Sequence, residues 1–243
     1  MKASILGVKF DNLSPQQSAE RAAAFLNDES TRIIFTPNPE MVMLAQKDAE
    51  FASILASGDL VTPDGIGIVW ASRLTKSKIA RRVPGIELLE NMLDRAKDSG
   101  HGVYFLGAAP GTADAAAAKM QEKYPGLTVC GSYHGYFDDN EDEAIIAKIN
   151  ASKADIVLVG LGFPRQEKWI YKHRGSIQAK IIMGVGGSFD VLSGRLRRAP
   201  KIFQKLGIEW LYRLLRQPTR LLRQTVLAKF VILVIYKKLR GEL

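Results

Sequence analysis

Five short runs of apolar, largely β-branched residues punctuate the chain: Arg32 to Thr36, Gly102 to Leu106, Leu127 to Cys130, Asp155 to Gly160 and Lys180 to Val185. Each leads into a Gly, Pro or Asn turn and then into residues at helical spacing, the rhythm of a parallel α/β sheet. Helix starts are marked as well. Ser14-Pro15 with Gln17 forms a capping pattern, Pro84 opens Ile86 to Lys97, Gly111-Thr112 opens Ala113 to Tyr124, and Asp139 opens Glu141 to Asn150. Ahead of them, the run Ala3-Ser4-Ile5-Leu6-Gly7-Val8 reads as β. After Asp190 the strand rhythm stops, and Pro200 and Pro218 punctuate two or three cationic helices. The pattern predicts an α/β fold over residues 1–194, a Rossmann-like, mostly parallel sheet flanked by helices. A basic helical appendage is expected over residues 195–243.

Charge sharpens this division. Residues 195–243 hold thirteen Lys and Arg against Glu209 and Glu242, so the tail carries the whole excess behind the net charge of +9, and the body is close to neutral. Trp210, Tyr212, Phe230 and Tyr236 interrupt the cations, which suits a surface both anionic and greasy, such as a membrane face or a lipid phosphate. A nucleic-acid-binding protein is the rival reading of a pI near 9.6. Against it, Val226, Leu227, Phe230, Val231, Leu233 and Val234 recur at helical spacing, which fits an interface better than a solvated phosphate contact. A third reading packs that stripe on the body as core. The run Val231 to Tyr236 is far below the ~20 apolar residues of a bilayer span, so membrane contact is expected to be peripheral. Cys130 is the one cysteine, which rules out a disulfide within the chain and gives no support to structural zinc. With no signal-peptide pattern at Met1 to Phe10, a cytoplasmic location at the inner membrane face is expected.

In open parallel sheets ligands bind beyond the carboxyl ends of the strands, where helix N-termini offer N–H groups to anions. The turns that follow strands are Thr36-Pro37-Asn38-Pro39-Glu40, Gly107 to Thr112, Gly160 to Gln166 and Gly184 to Asp190. Pro164 and Arg165 break the glycine spacing of a dinucleotide site after Gly160-Leu161-Gly162, and the Gly107 turn lacks the lysine of a nucleotide-hydrolysing loop. Asp64, set between Pro63 and Gly65, is either a helix cap or a carboxylate held in a cleft as general base. Thr36 and Asn38 are either local turn formers or ligand-orienting groups. Arg81-Arg82 is either a solvated pair or a cation aimed at a diphosphate. Asp138 and Asp139 read as helix-start acids and not as a metal cluster, and His101, His134 and His173 lack ligand spacing.

Taken together these segments resemble the WecG/TagA/CpsF family of bacterial glycosyltransferases. The matching stretches are Thr36 to Glu40, Asp64-Gly65-x-Gly67, Arg82 to Gly85, Phe105 to Ala108, Gly135-Tyr136-Phe137, Gly160 to Glu167, Gly184 to Asp190, Arg198-Ala199-Pro200 and Glu209 to Leu214, spread over most of residues 30–220. The resemblance implies an inverting transfer, without metal or other cofactor, of an N-acetylmannosamine-type sugar from a UDP donor to GlcNAc-diphospho-undecaprenol. In the TagA branch, which the helical tail favours, this makes the linkage disaccharide of wall teichoic acid. In the WecG branch the sugar is N-acetylmannosaminuronic acid, for enterobacterial common antigen. The likeness makes Asp64 the base and has Thr36, Asn38 and Gln166 orient sugar and acceptor. Arg82, Gly107, Gly162, Phe163, Pro164, Gly186 and Gly187 would surround the donor, with Tyr136 stacked on uracil and Asp190 accepting its imide proton. Arg213, Arg220 and Arg223 would close over the diphosphate. Nucleic acid is not expected as a partner, and self-association into a homo-oligomer stays open.

Overall fold

The structure, a computed structural model, describes residues 2–76, 78–205, 207–216 and 221–243. The N-terminal run forms an antiparallel hairpin, β1 (Lys2–Ile5) with β2 (Val8–Asp11). Next come α1 (Pro15–Ala24), β3 (Arg32–Phe35), α2 (Pro39–Ala45), α3 (Ala49–Ala56), β4 (Leu60–Val61), α4 (Ile66–Ser72) and α5 (Gly85–Ser99). The second half holds β5 (Gly102–Gly107), α6 (Thr112–Lys123), β6 (Thr128–Tyr133), α7 (Asp142–Ala151), β7 (Ile156–Gly160), α8 (Arg165–His173), β8 (Ile181–Gly184) and α9 (Ser188–Leu192). Among the described residues three helices follow: α10 (Lys201–Lys205), α11 (Glu209–Arg216) and α12 (Leu221–Leu239). Among the described residues six strands form one parallel sheet in the order β4-β3-β8-β7-β5-β6.

The central strands are apolar at nearly every position because both faces of the sheet are covered. Alternation then divides each strand between two cores. Ile33, Phe35, Tyr104, Leu106, Val157, Val159 and Ile182 face α2, α3, α4, α7 and α8. Ile34, Val103, Phe105, Ile156, Leu158, Ile181 and Met183 face α1, α5, α6 and α9. The start of α1 has the capping box written in its sequence: Gln17 N–H donates to Ser14 Oγ at 3.2 Å, and Ser14 N–H donates to Gln17 Oε1 at 2.9 Å.

The tail does not stand apart from this body. Phe230 and Val234 on α12 are fully buried in the first core, where α12 packs on α2 and α4. The packing alternative for the apolar stripe therefore describes this face of α12, and Val226, Leu227 and Leu233 are half-buried beside it. The opposite face leaves Val231, Ile232, Ile235, Tyr236 and Leu239 exposed. No helix among the described residues is long and apolar enough to cross a membrane.

Candidate active site

The carboxyl ends of the four adjacent strands β4, β3, β8 and β7 all open into one cavity of ≈ 220 Å³. After β3 it receives Thr36, Asn38 and Glu40; after β4, Asp64; after β7, Gly162, Phe163, Gln166 and Glu167; after β8, Gly186 and Gly187. Pro84 and Gly85 at the start of α5 and Glu209 at the start of α11 complete the wall. Thr36 and Gly187, 151 positions apart, thus meet because a parallel sheet delivers every strand end to the same edge.

Local packing fixes each group. Asn38 is the N-cap of α2, its Oδ1 accepting the Met41 N–H at 3.1 Å, and the residue also lines the cavity. Asp64 does not cap the helix that follows it, whose N-cap is Gly65. Its Oδ2 instead lies 3.4 Å from the Gly85 N–H at the start of α5, and its own N–H donates to Pro37 O at 3.1 Å. The carboxylate is thereby held between two turns. Gly85 is required for this contact, because a Cβ there would lie 2.7 Å from Thr36 Oγ1.

Gln166 and Glu167 begin α8 inside the core wall, 5% and 1% exposed. The Gln166 amide bridges two partners: Nε2 donates to Glu167 Oε1 at 2.7 Å, and Oε1 accepts the Gly186 N–H at 2.7 Å. Gly184 leaves the space for that amide, since a Cβ would collide with Gln166 Nε2. Burial pushes the Glu167 carboxyl up to about 7, against the opposing hydrogen bonds of its own backbone N–H and the Gln166 amide. Glu167 Oε2 is buried without a hydrogen-bond partner. Glu167 ends the matching stretch Gly160 to Glu167, and the sequence alone assigned it no role. The signal was there, because Glu167 stands three residues before Ile170 and so shares the buried face of α8.

Other expected groups lie around the cavity. Arg82 is half-buried, with Nη1 3.0 Å from Glu209 Oε2 and Nη2 donating to Gln204 O at 2.6 Å. Arg198 reaches the other oxygen of Glu209 at 3.5 Å and also pairs with Glu87. This cluster, unforeseen from sequence, ties α11 to the start of α5. Pro164 caps α8 just beyond Phe163. Gly107 ends β5 against the Gly160 backbone, Tyr136 is 71% exposed, and Asp190 sits in the first turn of α9 with its carboxylate toward Gly187. Arg82, Pro164 and these last three are outside the cavity wall. Arg220 and the side chains of Arg213 and Arg223 lie outside the described residues. Asp138 forms a capping box with Glu141, and no group of three or more His, Cys, Asp or Glu among the described residues is placed to hold a metal ion.

An open parallel sheet with a polar cleft across its carboxyl edge defines a Rossmann-like α/β protein whose chemistry is carried by its turns. Sequence comparison names the kind. A sequence model of the Glycosyl transferase WecG/TagA/CpsF family matches residues 3–243, and the chain belongs to that family and is a glycosyltransferase. It is 40% identical over 216 residues to the N-acetylglucosaminyldiphosphoundecaprenol N-acetyl-beta-D-mannosaminyltransferases of Staphylococcus aureus strains MRSA252 and NCTC 8325 / PS 47. The match spans 88% of this chain and 84% of each relative.

Proposed function

We propose that this chain transfers N-acetylmannosamine from UDP-ManNAc to GlcNAc-diphospho-undecaprenol, the acceptor and sugar in the names of its staphylococcal relatives. The observation that carries this reading is the meeting of Asp64, Thr36, Asn38 and Gln166 in one cavity. At ≈ 220 Å³ it is smaller than the ~300–1,000 Å³ of pockets that enclose a whole small ligand, so it receives the reacting sugars while the rest of each substrate follows the rim. Carboxyl and amide groups on its walls suit sugar hydroxyls and the acetamido N–H.

The transfer is an inverting displacement. The Asp64 carboxylate takes the proton of the acceptor hydroxyl as that oxygen bonds to the anomeric carbon, and the bond to the UDP β-phosphate breaks on the opposite face with its electron pair leaving on UDP. Thr36, Asn38 and Gln166 hold the two sugars in line, and N–H groups at the starts of α5 and α8 meet the growing diphosphate charge together with Arg82. For Arg82 to reach the diphosphate, Glu209 must release it. Gly107, Tyr136 and Asp190 extend the donor site toward uracil, and Arg213, Arg220 and Arg223 close it. The outer face of α12, Val231, Ile232, Ile235, Tyr236 and Leu239 flanked by Lys229 and Lys238, rests on the inner membrane surface that carries the acceptor.

A donor panel with a short-chain analogue of the acceptor, in the presence of a chelator, tests the reading. Turnover with UDP-ManNAc alone is expected. Preference for UDP-ManNAcA would move the chain to the WecG-type reaction, and turnover with no UDP sugar would overturn the proposal.

A further inference from the structure

Among the described residues, Glu167 is the one charged side chain at the cavity that is almost wholly inside the protein, 1% exposed, with one carboxyl oxygen bonded to Gln166 and the other bare. Burying a carboxyl with half its acceptor capacity unused costs stability, and pure packing does not require one there. An apolar residue in its place would leave the Gln166 amide without the partner that orients it. That orientation matters at a distance: only with Nε2 turned to Glu167 does Oε1 face the Gly186 N–H, and the Gly186-Gly187 turn forms the cavity wall.

We propose that Glu167 is a positioning residue for sugar transfer, its carboxylate acting through the Gln166 amide to hold the Gly186 turn in the shape that receives substrate. The inference rests on the transfer reading above. Ionised, Glu167 is an acceptor only and locks the amide one way. Protonated, it also donates, and a rotated amide, with Oε1 toward Glu167 and Nε2 opposing the Gly186 N–H, becomes accessible. The raised carboxyl value near 7 places this exchange in the working range. The charged groups around Glu167 are set otherwise. Glu40, Asp64 and Glu209 line the same cavity. On α8 itself Arg165 is turned to Gly135 O and Phe137 O, and Lys168 to Asp48 and Glu50 beside α3. From α7, Asp142 is taken up by Trp169, Lys172 and His173.

The test uses the full chain with UDP-ManNAc and the short-chain acceptor analogue. Wild-type kcat/KM should fall as pH drops through about 7, and the isosteric Glu167→Gln should lose that limb. Glu167→Ala should lose roughly 10- to 100-fold, the cost of a misplaced reacting group, Gln166→Ala at least as much because its amide also faces the sugars, and the double variant no more than Gln166→Ala alone. Independently of turnover, the Gly186 amide resonance of the wild type should titrate with the same midpoint and cease to do so in Glu167→Gln. Multiplicative losses in the double variant, or a Gly186 amide that ignores the Glu167→Gln change, would overturn the proposal. A protein that transfers no sugar but keeps the Gly186 titration would instead remove the transfer reading and leave the Glu167–Gln166–Gly186 link standing.

Discussion

Thr36 and Gly85 show how closely the site is set by single residues. With Thr36 Oγ1 2.7 Å and its carbons 3.3 and 3.4 Å from where a Cβ would stand, Gly85→Ala has to push the β3 turn away from the start of α5. A loss of about 1–3 kcal/mol is expected from such overpacking, readable in urea denaturation, with transfer reduced because Asp64 is held by the same N–H. Asp142 carries a pH dependence of a different kind. Burial alone would raise its carboxyl, but hydrogen bonds from Lys172, Trp169 and His173 outweigh it and hold the group below the ordinary carboxylate range. A depressed folded value means stability that is complete above the ordinary range and lost as pH falls through the folded one. Asp142→Ala should therefore cost about 3 kcal/mol at pH 7, with the difference from wild type shrinking in melts taken at progressively acidic pH. At this scale the turns were legible and the buried carboxyls were not. Asp64 stood out between Pro63 and Gly65, and Asn38 in its turn between two prolines, whereas Glu167 and Glu209 stood only within the matching stretches, with no role of their own, until the fold brought them to the same cavity.

Elements were legible where their faces are uniform. Strands β5, β7 and β8, and β3 after Arg32, are buried on both sides, so their sequences are unbroken apolar runs. The edge strand β6 is half-exposed and begins at Thr128, later than its apolar start suggests, and the two residues of β4 are too few for any period. For α12 the period was visible but the partner was not, because a helical stripe looks the same whether it meets protein or lipid. The structure assigns Phe230 and Val234 to protein, with the Phe230 ring 3.8 Å from the Cβ position of Gly67 on α4. Phe230→Ala should remove roughly 3 kcal/mol of stability and expose α12 to proteolysis, while Ser14→Ala, which removes only the α1 cap, should cost ~1 kcal/mol and leave α12 protected.

On the scale of the whole molecule, the separation of charge seen in the sequence becomes a division of labour. The near-neutral body builds most of the cavity, to which the tail adds Glu209 on α11, while α12 packs on α2 and α4. Ile232→Glu with Leu239→Glu alters only the outward face of α12, so sedimentation with anionic vesicles should fall at least tenfold while transfer to a soluble acceptor analogue stays within twofold, at ~1.4 kcal/mol per decade of binding. The central claim is that the cavity across β4, β3, β8 and β7 is where the sugar moves. Its most direct measurement is the transfer rate of Asp64→Asn beside wild type, with UDP affinity and melting temperature taken on the same samples. A rate lowered by roughly 100- to 10,000-fold with both controls unchanged is the predicted result. Near-normal transfer by Asp64→Asn would contradict it.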